Sequence, residues 1–449
     1  MLAAQGEVAV RHQLLERVSD ARRRSDALFN IVRSDSLYER PIPERHRIIF
    51  YVGHLEAFDW NLLHDNVLGL KSFHPQFDRL FAFGIDPVGG GLPSDHPSDW
   101  PSLGVVRDYV SRIRAALDHK LADGSLESCS QTREGFPLDT LLNVAIEHRL
   151  MHVETLAYML HQLPLDRKVS PENRLSPVTP PVTPQMIQIP DGVATLGLAR
   201  ESDIFGWDNE FETHAVHVPA FEIDQYEVTN RQYLDFMAAG GYETEAFWSD
   251  GDWKWKTANA ISHPVFLRKV GNGWLYRTMF EEIPLPLDWP VYVSHAEAMA
   301  YARWAGKSLP SEEQWHRAVY GTRDDAERQY PWGNETWRND APAEKLGNFD
   351  FSHWNPTPVN AFPEGQSAFG VHDMLGNGWE WTSTVFAPFP GFEPFPFYRG
   401  YSADFFDGKH FVMKGGSPRT AACMLRPTFR NWFQAHYQYV YAGFRCVNH

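Results

Sequence analysis

In the first third of the chain, apolar positions recur every three to four residues, the spacing that places them on one face of a helix. Four such stretches stand out, at about 8–33, 44–69, 101–122 and 137–162. Between the second and third lies a Gly/Pro-rich run at about 72–100 (FHPQFDRLFAFGIDPVGGGLPSDHPSDW). A connection that long in a compact domain often carries function. Four helices with one long crossover predict a four-helix bundle, a fold that commonly holds metals between facing helices.

The pattern then breaks. Residues 164–185 (PLDRKVSPENRLSPVTPPVTPQ) are proline-rich, without apolar period, and read as an extended connector. Beyond them, short β-branched and aromatic runs alternate with Gly, Asn, Asp and Pro turns: QMIQIP, HAVHVPAFEID, RTMF, PVYVS, HFVMKGG and YAGFRCV. Only two helical stretches stand out there, NRQYLDFMAAG and HAEAMAYARWAG. The predicted fold class is α plus α+β: a helical bundle over 1–163, a linker over 164–185 and a loop-heavy α+β domain over 186–449. No repeat of 20–50 residues is visible, which excludes a solenoid.

Length agrees with this division, because 449 residues exceed what one core supports. Composition adds an aromatic excess, 14% with 16 Trp, suited to a core and pocket built from flat side chains. The net charge of −16 disfavours nucleic acid and anionic membrane as partners. Three cysteines, Cys129, Cys423 and Cys446, are too few for a disulfide framework and point to a reducing compartment. No apolar run reaches the ~18 residues that span a bilayer. The first stretch, VRHQLLERVSDARRRSDALFNIV, is charged and amphipathic rather than a signal peptide, so the expected location is cytoplasmic.

The candidate chemistry is histidine. His148 and His152 lie four apart in IEHRLMHVE, on one face of the fourth predicted helix. His54 lies in the second, within YVGHLEAFDWNLL, and a facing helix carrying it completes a three-nitrogen metal site. Single helical histidines are more often core or surface residues; a pair with a third on a second apolar helix shifts the balance toward a metal. Glu154 falls about 200° round the helix from His152, away from the ligand face, and suits a supporting or salt-bridge role. Three neutral nitrogens with open positions suit catalytic zinc or non-heme iron, and spacing does not separate the two.

Longer motifs add a resemblance. IPDGVATLG, FEIDQYEVTNRQYLDFMAAGGY, PVYVSHAEAMAYARWAGKSLPSEEQWHRAV, YPWGNE, FGVHDMLGNGWEWTS, MKGGSP and AGFRCV resemble the formylglycine-generating-enzyme/sulfatase-modifying-factor family, a variant of the C-type lectin fold. The first domain resembles a DinB-like four-helix bundle with its His-x3-His-x-Glu motif. In this order the pair resembles the ergothioneine sulfoxide synthases over nearly the whole chain, LRPTFRNW being especially typical.

The resemblance implies Fe(II) held by His54, His148 and His152, with O2 as co-substrate. The implied reaction joins a chalcogen donor to C2 of the imidazole of hercynine, N-α-trimethylhistidine. The family's Tyr-x-x-Tyr-Ser segment maps onto Tyr398 to Ser402, with Tyr398 as the catalytic tyrosine and Tyr401 its pocket partner. The Asn-Trp that receives the betaine maps onto Asn431 and Trp432, and an aromatic face suits a quaternary ammonium.

The departures bear on the donor. Members using γ-glutamylcysteine carry an Arg pair in the long loop, whereas PVGGGLPSDHP has no Arg or Lys. Phe433 stands where they place an Asp, and Met151 where a Gln precedes the second ligand of the pair. Ala82-Phe83-Gly84-Ile85-Asp86 replaces the usual Asn-Ser-Tyr-Tyr-Glu, which makes Phe83 and Asp86 candidate substrate contacts. A site without those charges loses affinity for a charged peptide thiol. The expected donor is therefore small or neutral, as in the selenoneine synthase branch, which takes a selenosugar; Asp86, Asp95, His96 and Trp100 offer polar partners and stacking for it. Cysteine or γ-glutamylcysteine is the alternative donor. A metal-dependent DinB-type thiol transferase is the alternative of another class. A formylglycine-generating enzyme requires a copper-binding cysteine pair near its end, and RPTFRNW contains none. A non-catalytic lectin-like module gives no reason for three histidines and Tyr398 together.

Overall fold

The four periodic stretches of the first third form the long helices α1 (Leu2–Phe29), α2 (Ile48–Leu63), α4 (Leu103–Leu121) and α5 (Leu138–His161), and a shorter α3 (Pro75–Phe83) lies between α2 and α4. The computed structural model describes residues 2–85, 92–122, 135–171, 177–334 and 345–448, with side chains from residue 11 onward. It divides into two compact units, Met1–Pro171 and Glu172–His449. No described helix is long and apolar enough to cross a membrane.

Helix α3 corrects the expectation of an irregular loop throughout 72–100. His74 caps it by accepting the amide of Phe77, Pro75 takes the first turn where its missing N–H costs nothing, and Gly84 ends it at φ 75°. The proline and glycine that read as loop are its start and stop signals. It packs against α2 at Gly53, where a Cβ would lie 2.3 Å from the Phe81 ring.

Helix α1 packs on α5, and α2 on α3, α4 and α5. Between them Ile49, Trp60, Ile113, Leu141, Val153 and Leu156 are buried. Arg149 of α5 is 2% exposed and donates to Glu56 (2.9 Å), Asp59 (2.6 Å) and the Leu55 carbonyl (3.0 Å) of α2. Burial alone would raise the Glu56 carboxyl, but Arg149, Arg114 and Arg22 outweigh it and hold it down at about 2. Removing one partner of such a network strands the others without water. Arg149→Met is expected to destabilise this unit by about 3–5 kcal/mol, read as a lowered denaturant midpoint; an unchanged midpoint would mean that the network contributes nothing.

The second unit runs β1 (Met186–Ile189), β2 (Gly192–Leu196), β3 (His214–Val218), β4 (Phe221–Asp224), α6 (Asn230–Ala238), α7 (Asp250–Ala258), β5 (Leu267–Val270), β6 (Gly273–Arg277), β7 (Glu282–Pro284), α8 (His295–Trp304), α9 (Glu312–Tyr320), β8 (Gly378–Val385), β9 (His410–Gly416), β10 (Asn431–Gln434), β11 (Ala442–Gly443) and β12 (Val447–Asn448). The strands make four small sheets, ordered β1-β4-β12, β10-β9-β8-β11, β2-β3 and β5-β6-β7. Among the described residues four helices form here rather than the two expected. Each starts at a hydroxyl cap, Thr229, Ser249, Ser294 or Ser311, whose oxygen accepts an amide three residues on. The two helices not expected, α7 and α9, are nine residues each, too short to show a clear apolar period. PVYVS forms no strand and RTMF only ends one, both being buried connections.

Candidate metal centre and tyrosine loop

Helix α5 sets His148 and His152 one turn apart, with ring centroids 4.5 Å from each other, and α2 brings His54 to 5.4 and 4.8 Å from them. One ligand nitrogen from each lies within 4.8 Å of the others. His54 Nε2 and His152 Nε2 are 3.3 Å apart. Backbone geometry fixes the role of His54. Its Nδ1 donates to the Phe81 carbonyl at 2.7 Å, so in the neutral ring Nε2 carries the lone pair and faces His152. Gly53 is what lets α3, and with it that carbonyl, come so close.

Aromatic rings wall the cluster: Phe58 stacks on His148 at 3.4 Å and Phe50 on His54 at 4.7 Å. Burial lowers all three histidines, His54 to about 4 and the other two well below their ordinary value. The rings are neutral at physiological pH, the form that ligates metals. His152 Nδ1 is buried with no hydrogen-bond partner among the described residues. Nitrogens each about 2.0–2.1 Å from one ion lie some 3–4 Å apart, so this donor set fits a divalent metal with small ring adjustments. No carboxylate or cysteine joins the three among the described residues, so a divalent ion held by these nitrogens would keep open coordination positions. Glu154 is buried on α5 but belongs to no such group.

The other predicted site residues divide. In the second unit Tyr398 and Tyr401 have ring centroids 5.6 Å apart, and Tyr401 meets Trp432 edge to face at 5.4 Å. Asn431 Oδ1 accepts the Trp432 amide at 2.9 Å, which fixes its orientation. Burial, with the charge of Asp208, pushes the Tyr398 phenol up to about 12. Phe433, the residue expected on the donor side, lies on the opposite face of β10 from Trp432 by strand alternation and stacks on Tyr437 at 5.0 Å.

In the first unit Met151 is half-buried beside His152, while Phe83 at the end of α3 is 71% exposed. Asp86 lies outside the described residues. The polar contacts expected of Asp95 and Trp100 are corrected. Asp95 is buried and taken up by Arg40, Arg47 (2.8 Å) and the Trp100 indole (2.7 Å), and Trp100 is itself buried; His96 is exposed.

One segment was missed. Trp207-Asp208-Asn209-Glu210 forms a short 3₁₀ turn whose Trp207 stacks on Tyr401 at 4.0 Å. A Trp followed by three polar residues able to cap a turn was the only signal, and it names no partner 190 residues away.

A family model described as the sulfatase-modifying factor enzyme 1-like domain matches residues 172–449, and a DinB superfamily model matches residues 17–156. The hercynine oxygenase of Mycobacterium tuberculosis is 39% identical over 56% of this chain and 57% of that protein. That of Mycolicibacterium smegmatis is 33% identical over 83% of each chain. Ergothioneine biosynthesis protein 1 of Neurospora crassa is 29% identical over 92% of this chain. The matches span only 57% of the first of these relatives and 55% of the third.

Proposed function

Since this chain belongs to the ergothioneine sulfoxide synthase family, a DinB-superfamily domain followed by a sulfatase-modifying factor enzyme 1-like domain, we propose that it joins a chalcogen donor to C2 of the hercynine imidazole with Fe(II) and O2. The observation that carries this reading is the gathering of His54, His148 and His152 from two helices, with no carboxylate joining them among the described residues. Bound there, iron supplies redox chemistry with O2 that zinc lacks. The residues of the chain do the rest. Tyr398 is held as a neutral phenol at physiological pH and serves as a proton source at its oxygen. The Tyr401 and Trp432 faces suit the trimethylammonium group, and Asn431, its oxygen occupied by the Trp432 amide, presents its NH2.

For the donor we favour a selenosugar over γ-glutamylcysteine. The cations near the long loop, Arg40 and Arg47, are consumed by Asp95, so they offer no clamp for a donor carboxylate. Phe433 replaces a charge with a ring. Each missing charge-assisted hydrogen bond is worth about 1.5–3 kcal/mol, so kcat/KM for γ-glutamylcysteine is expected at least about tenfold below that for 1-seleno-glucose. Mass detection of the product from iron-loaded protein, hercynine, O2 and each donor checks this. Faster turnover of γ-glutamylcysteine returns the chain to ergothioneine synthesis. A zinc-dependent thiol transfer that proceeds without O2 would replace the whole reading.

A further inference from the structure

The loop that carries Tyr398 is pinned from far away in sequence. Tyr398 and Tyr401 are set by two tight backbone turns, Tyr398 N–H to Phe395 O at 3.0 Å and Tyr401 N–H to Tyr398 O at 3.1 Å. Ser402, next in line and fully buried, donates its hydroxyl to Asp208 Oδ1 at 2.6 Å. Trp207 lies flat on Tyr401 and 6.4 Å from the Tyr398 ring. The same turn reaches the segment that ends in Asn431-Trp432. Glu210 accepts from Arg426 (2.8 Å) and Thr428 (2.5 Å), and Arg430 donates to the Asn209 carbonyl at 3.4 Å. Four consecutive residues thus hold both predicted substrate-facing segments of this unit in register.

Within the turn the two carboxylates differ. Glu210 is ion-paired with Arg426, and nearby Arg430 is ion-paired with Glu312. Asp208 is 1% exposed and held by hydrogen bonds instead, from Ser402 and from the Phe395 and Asn209 amides. Burial raises it to about 6, against the pull of those hydrogen bonds, so it is largely ionised at neutral pH. Its charge then acts on Tyr398 uncompensated by a cation of its own.

We propose that Asp208 is a positioning residue for Tyr398: through its hydrogen bond from Ser402 and the neighbouring Trp207 stack on Tyr401 it fixes the loop that carries the tyrosine. For its catalytic consequence this rests on the reading of Tyr398 as the proton source, but the anchoring of the tyrosine loop by Asp208 does not. No bond is made or broken by Asp208; it acts on another residue.

The test places 3,5-difluorotyrosine at position 398 of the full chain and follows its fluorine resonance with pH, without turnover. Besides the phenol titration, a second inflection near pH 6 is expected, where Asp208 takes up a proton. In Asp208→Asn that inflection disappears and the phenol titrates lower by on the order of one pH unit, the usual effect of removing a neighbouring like charge. A resonance that ignores pH between 5 and 7 in the unsubstituted chain overturns the proposal, and needs no variant that could misfold. So does a phenol titration unmoved in a folded Asp208→Asn protein. In the coupling reaction Asp208→Asn is expected to lower kcat about tenfold with KM for hercynine unchanged, the split of a residue that acts only in the chemical step. If Tyr398→Phe keeps full activity while the fluorine results hold, the link stands and the proposed role of Tyr398 falls.

Discussion

His148→Ala is expected to leave a folded protein with no retained iron and no turnover. His148 is the most enclosed of the three histidines, at 3% exposure, and its ring lies flat on Phe58. Removing it takes away one of three nitrogens, and the remaining pair, His54 and His152, presents too few ligands to hold a divalent ion against dilution and chelation. The deletion also opens a space beside Phe58, costing about 2–4 kcal/mol on the pattern of large-to-small core changes, so circular dichroism and a melting curve must accompany the metal analysis. Iron content per chain is the deciding measurement. A folded variant that binds iron as tightly as the parent would remove His148 from the site. Refilling the parent protein with zinc is the companion measurement: metal content should return and O2-dependent product should not.

Tyr398→Phe is the second large effect. The substitution removes one oxygen from a half-buried ring and leaves the Trp207–Tyr401–Trp432 stack untouched, so hercynine binding should stay within about threefold of the parent. What is lost is a proton donor, and general acid catalysis is typically worth 10²–10⁴ in rate. We expect carbon–chalcogen coupling to fall by about 10² or more, with oxygen diverted onto the donor in part of the turnovers. Calorimetric titration of hercynine under anaerobic conditions, followed by product analysis in air, separates the two quantities. An unchanged product profile would assign the Tyr398 hydroxyl to packing alone.

What was readable in the sequence follows from the range over which each signal acts. His148 and His152 share a face because four residues make about one helical turn, a local fact. His54 required the guess that two helices face each other, and the apolar periodicity of both supported it. Helix α3 escaped because its proline and glycine look like loop residues until their positions at its two ends are known. Phe433 was assigned to the donor side by its place after Asn431-Trp432, and strand alternation does put it on the opposite face of β10 from Trp432. Asp95 and Trp100 looked available because Arg40 and Arg47, which with Trp100 occupy the Asp95 carboxylate, come from about 50 residues earlier. Asp208 was invisible for the same reason on a larger scale.

That larger scale has a consequence for how the second unit assembles. Strand β4 at Phe221–Asp224 pairs with β12 at Val447–Asn448, and β8 with β11 at Ala442–Gly443. Between those late strands Arg445, fully buried, grips Glu380 at 2.7 and 2.8 Å and the carbonyls of Asp224, Gln225 and His372. The sheet begun at β4 is therefore closed by residues made more than two hundred positions later, where Ile223 pairs with Val447, whereas β8 waits only for the nearer β11, where Trp379 pairs with Ala442. During synthesis the edges of β4 and β8 stay open until residues 442–448 have left the ribosome. A chain with such distant pairings closes slowly, in milliseconds to seconds, and its unpaired edges invite association meanwhile. Low yield on rapid expression, relieved by slower synthesis at lower temperature, is the practical face of that topology.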